Sequence, residues 1–95
     1  MAVVYILFSP SIQKFYTGSS EYPYEVRLQQ HLQIIFPGAF TSQTTDWEAF
    51  LTIQCSFLSQ ARRIEKHIKN QKSSRYIRHL AAYPEMIQNL LLRFP

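Results

Sequence analysis

The chain has 95 residues, 46% of them hydrophobic and 17% charged, with a formal net charge of +4. That length reads as one domain over residues 1–95, and so apolar a composition excludes a disordered chain. One cysteine, Cys55, excludes an internal disulfide and a zinc site built on several thiolates.

Val3 to Phe8 is apolar throughout and, but for Leu7, β-branched or aromatic, which predicts a strand near 2–8 buried on both faces. The run has six residues and no basic residue before it. It is too short for a signal-peptide core or a membrane span, so a cytoplasmic chain without membrane contact is expected. Ser9-Pro10-Ser11 breaks the strand. Lys14 to Thr17 predicts a second strand near 14–18, closed by Gly18-Ser19-Ser20, and the two strands suggest an antiparallel hairpin.

A helix is expected near 22–32, with Pro23 in its first turn and Phe36-Pro37-Gly38 beyond its end. Residues 39–46 read as a polar loop. From Trp47 the apolar residues Trp47, Ala49, Leu51, Ile53, Cys55 and Phe57 alternate with a second set. That period of two predicts a strand near 47–57 with one buried face, and Cys55 as a buried, unreactive thiol. Ser59 then reads as the N-cap of a helix near 59–71, with Ala61, Ile64 and Ile68 facing inward. Ser73 or Ser74 caps a helix near 74–82, and Pro84 starts a last turn or helix. The expected class is α+β: a small three-stranded antiparallel sheet flanked by helices, in the order β-β-α-β-α-α.

Charge is segregated along this plan. Seven of the ten basic residues lie between Arg62 and His79, with Glu65 the only acid among them. Such a block is either a solvated helix surface or the footprint of a polyanion partner. Three further features bear on chemistry. Arg27 and His31 are four apart on one expected helix, a spacing that suits phosphate binding and proton transfer but also fits an exposed helix face. Glu65 pairs by spacing with Lys69, yet a carboxylate inside a basic patch can also hold a divalent metal. Tyr5 and Tyr16 fall on neighbouring strands, where phenols usually pack in the core with their hydroxyls at a rim.

Taken in order, Val4-Tyr5-Ile6, Tyr16-Thr17-Gly18, Arg27, His31 and Glu65 resemble the GIY-YIG nuclease family, most closely its small single-domain members. These are similar to the N-terminal catalytic module of the bacterial nucleotide-excision-repair nuclease. Ala61 to Lys69 resembles the family's metal-binding helix, and the likeness covers about residues 2–80. Val4 stands where the family has its first Gly, and Thr17 where it has Ile. Residues 37–46 contain no Lys or Arg, although relatives often carry one there.

The resemblance implies an endonuclease that hydrolyses DNA with one divalent ion, Mg2+ or Mn2+, in repair or recombination. It implies Glu65 as the metal ligand, Arg27 on the scissile phosphate, Tyr16 or Tyr5 as base, and His31 as proton relay. Arg62, Lys66, Lys69 and Lys72 would follow the DNA backbone, and a protein partner could supply targeting. The acid count agrees: one Asp and five Glu, with no carboxylate cluster, suit one metal better than two. The rival readings are a catalytically inactive nucleic-acid-binding module on the same fold and a protein-interaction domain.

Overall fold

A computed structural model describes residues 2–21, 44 and 46–95. Strands β1 (Ala2–Ser9), β2 (Lys14–Ser20) and β3 (Glu48–Cys55) form one antiparallel sheet in the order β2-β1-β3. Helices α1 (Leu58–Gln71), α2 (Ser74–Ala82) and α3 (Pro84–Arg93) follow. The α+β class and the three-stranded sheet agree with the sequence, while the helix expected near 22–32 and most of the loop after it lie outside the described residues.

β1 is the central strand, which is why it is apolar at nearly every position. Ala2, Val4 and Ile6 pack on one side with Ile53, Ala61, Ile64, Ile68 and Leu80. Val3, Tyr5 and Leu7 pack on the other with Trp47. Cys55 is buried as expected, and burial pushes its thiol pKa up.

The predicted single buried face over residues 47–57 does not hold. Ile6 pairs with Leu51 but Leu7 pairs with Ala49, so Phe50 is the extra residue of a β-bulge. One added residue reverses the side-chain parity. Trp47 therefore joins the Tyr5 cluster, whereas Ile53 and Cys55 face the helices. Ala49 is exposed, and Phe57, 46% exposed, has left the strand to become the residue before α1.

Ser59 does not cap α1 either. Gln60, only 6% exposed, does the joining instead. Its Oε1 accepts from the Ser56 N–H at 2.8 Å and its Nε2 donates to the Phe94 carbonyl at 2.9 Å, tying the start of α1 to the residue after α3. Replacing Gln60 with Ala leaves both backbone groups without these partners, an expected cost of about 2 kcal/mol and a fall of about 10 °C in melting temperature. Gln60→Leu, of similar volume, should show a comparable loss; a Leu variant that melts with the wild type would mean the hydrogen bonds contribute nothing. Ser73 caps α2, its Oγ accepting from the Tyr76 N–H at 3.1 Å.

Asp46 closes the opposite end of the sheet. It accepts from the Ser9 hydroxyl, from the Ser11 N–H at 2.8 Å and from the Thr44 hydroxyl at 2.7 Å. The Ser9 and Thr44 hydroxyls hold its carboxyl well below the usual carboxylate range. A depressed folded pKa gives stability that is present above the unfolded value near ~4 and lost as pH falls below it. Urea melts at pH 5 and pH 2.5 should therefore show a larger acid loss in the wild type than in Asp46→Asn. Equal losses would remove Asp46 from the acid response.

Candidate active site

The hairpin register sets the first part of the site. Tyr5 lies directly opposite Gly18, and Leu7 opposite Tyr16. Alternation therefore puts Tyr5 and Tyr16 on the same side of the sheet, with ring centroids 6.4 Å apart. Tyr5 is 1% exposed, and its phenol covers the glycine: a Cβ at position 18 would lie 2.5 Å from Tyr5 Cζ. Gly18 is thus needed for space. Tyr16 is half-buried and also meets Trp47 edge-on at 6.4 Å between centroids.

Ser19 is next along β2 and points the other way, toward α1, because it pairs with Val4. Its hydroxyl donates to Glu65 Oε1. Glu65 Oε2 pairs with Lys69 Nζ at 2.7 Å, one helical turn on. The same Nζ sits 5.7 Å from the centre of the Tyr16 ring. β2 is an edge strand of the sheet, so Lys69 can reach around it to the tyrosine side. Tyr5, Tyr16, Lys69, Glu65 and Ser19 thereby form a continuous chain of contacts around β2.

Glu65 is 20% exposed at the side chain and Lys69 49%. With Ser19, Arg62, Lys66 and Asn70 they line an open cavity of about 410 Å³. Arg62, Lys66 and Lys72 are exposed. Arg27 and His31 lie outside the described residues. Ser19 is absent from the set read from the sequence, which places Gly18-Ser19-Ser20 at the close of the strand. Extending the β2 alternation two residues past Thr17 would have aimed it at α1.

Residues 1–78 match the family described as GIY-YIG catalytic domain. The chain belongs to the GIY-YIG family. No curated protein and no solved structure shows a significant match to it. Membership makes this a nuclease-family domain, a group of generally metal-dependent endonucleases acting on DNA. The GIY-YIG match ends within α2, so α3 and Phe94, the partner of Gln60, lie beyond it. Among the described residues no helix is long and apolar enough to cross a membrane.

Proposed function

We propose that this GIY-YIG domain is an endonuclease that hydrolyses DNA phosphodiester bonds with one divalent ion, Mg2+ or Mn2+, bound at Glu65. The observation that carries the reading is the placement of Glu65: a carboxylate fixed by Ser19, opening into a basic cavity and joined through Lys69 to Tyr16.

The residues present fit such an ion. Mg2+ keeps most of its waters and uses one or two carboxylates plus phosphate oxygens. Among the described residues no three His, Cys, Asp or Glu side chains come together. Glu65 with water and substrate oxygens is the donor set expected of a one-metal site, and the free lone pairs of its two oxygens leave room beside the Ser19 and Lys69 contacts. Held by Glu65, such an ion would supply positive charge to stabilise the leaving oxygen and the transition state.

The chain's own residues divide the remaining work. Arg27 holds the scissile phosphate bidentately. Tyr16, half-buried beside Lys69, passes its phenolic proton to His31 as it takes a proton from the attacking water. The resulting hydroxide adds to phosphorus, the bond to the leaving oxygen breaks, and that oxygen takes up a proton from solvent or from His31. Tyr5, sealed over Gly18, supports the Tyr16 ring and is less suited to meet water. Arg62, Lys66 and Lys72 follow the backbone phosphates. A domain over 1–95 acting in cytoplasmic DNA repair or recombination, targeted by a protein partner, completes the reading.

One observation favours the alternative of an inactive binding module: both Glu65 oxygens already have protein partners. Metal-dependent nicking of a supercoiled plasmid by the purified protein, beside Glu65→Ala, separates the two. The nuclease reading expects nicking that requires Mg2+ or Mn2+ and vanishes in Glu65→Ala. Binding with no nicking at any metal concentration would select the inactive module.

A further inference from the structure

A second cavity, about 480 Å³, lies between β2, the end of α1 and the start of α2. Phe15, half-buried, gives it an apolar surface beside the core residues Ile68 and Ile77, and Lys14, Lys69 and Lys72 stand around it. All three lysines are exposed, and its lining contains no Asp or Glu. It adjoins the Glu65 cavity, because Lys69 lines both.

An apolar slot ringed by cations is complementary to one polymer unit in particular: a flat apolar ring carried between phosphates. Paired bases in a duplex keep their faces stacked and cannot enter. We propose that this cavity seats one unpaired nucleotide of the DNA strand, its base against Phe15 and its flanking phosphates on Lys14 and Lys72. The consequence is a substrate class: DNA with an unpaired nucleotide next to the scissile phosphate, in preference to uninterrupted duplex. The link to cleavage rests on the nuclease reading above; the binding does not.

The test uses the full 95-residue chain carrying Glu65→Ala. Its probes are two duplexes of equal length, one with a single bulged 2-aminopurine and one with that base paired. The bulged probe should bind about tenfold tighter, the scale of one base stacked on an aromatic floor, and its emission should change on binding. Ser74 lines the cavity at an exposed position, so adding Ser74→Trp fills the slot without disturbing the core. That variant should lose the preference while its affinity for the paired probe stays within about twofold, since backbone contacts set duplex affinity. Equal affinity of the parent protein for both probes, or a preference that survives Ser74→Trp, would overturn the proposal. The two failures are distinguishable. A bulge preference without plasmid nicking would remove only the nuclease reading, and nicking without a bulge preference would remove only this one.

Discussion

Glu65→Gln should lower the rate of DNA cleavage by about a thousandfold, roughly 4 kcal/mol of transition-state stabilisation, the scale of a metal site lost from a phosphoryl reaction. DNA affinity should hold or rise slightly, because the substitution removes a negative charge from a basic cavity lined by Arg62, Lys66 and Lys69. The fold should survive, since the amide can still accept from Ser19 while losing only a half-exposed ion pair. Arg62→Ala with Lys66→Ala should behave in the opposite way. Binding should weaken across all sequences, and the salt slope should fall by about one unit per lost phosphate contact. Lys69 should contribute less to that slope, because its charge is shared with Glu65 and with the Tyr16 ring. Cleavage assays over a metal titration, paired with binding isotherms at three salt concentrations, measure both halves. Wild-type cleavage by Glu65→Gln, in a preparation free of contaminating nuclease, would remove Glu65 as the metal ligand and the one-metal scheme with it.

The Glu65–Lys69 pair is legible because it needs only two residue types at a spacing, an acid and a base four apart on one helix. The central strand was equally legible, since a strand flanked on both sides must be apolar at nearly every position, as Val3 to Leu7 are. The α2 helix and its Ser73 cap follow from a local rule that needs no distant partner. What stayed hidden depends on contacts between remote segments. Ala49, Phe50 and Leu51 are consecutive apolar residues, so alternation carries no mark of the bulge between them, and only pairing with Ile6 and Leu7 reveals it. Gln60 looks like an ordinary polar helix residue until the chain returns at Phe94, 34 positions later. Ser19 acquires a role only when α1 brings Glu65 against β2, 46 positions on.

Gly18→Ala should be the most damaging small substitution in the hairpin. The added methyl carbon would sit 2.5 Å from both Tyr5 Cζ and Tyr5 Oη, well inside van der Waals contact. Tyr5 cannot yield by swinging outward. It is 1% exposed and packed with Val3, Leu7 and Trp47, and it belongs to the central strand, which is hydrogen-bonded on both sides. The remaining response is separation of β1 from β2, which opens the pairing that holds Tyr16 near Lys69. Overpacking of this kind costs about 1–3 kcal/mol, a large share of a stability of roughly 5–15 kcal/mol, so cleavage should weaken along with folding. A drop in melting temperature of about 10–15 °C is expected. Tyr5→Leu provides the control, because it removes the ring atoms that collide while keeping an apolar side chain. Leu alone should destabilise by leaving a cavity, but adding Gly18→Ala to that background should cost far less than in the wild type. Equal costs of Gly18→Ala in the two backgrounds would show that the glycine serves the strand for some other reason than room for the phenol.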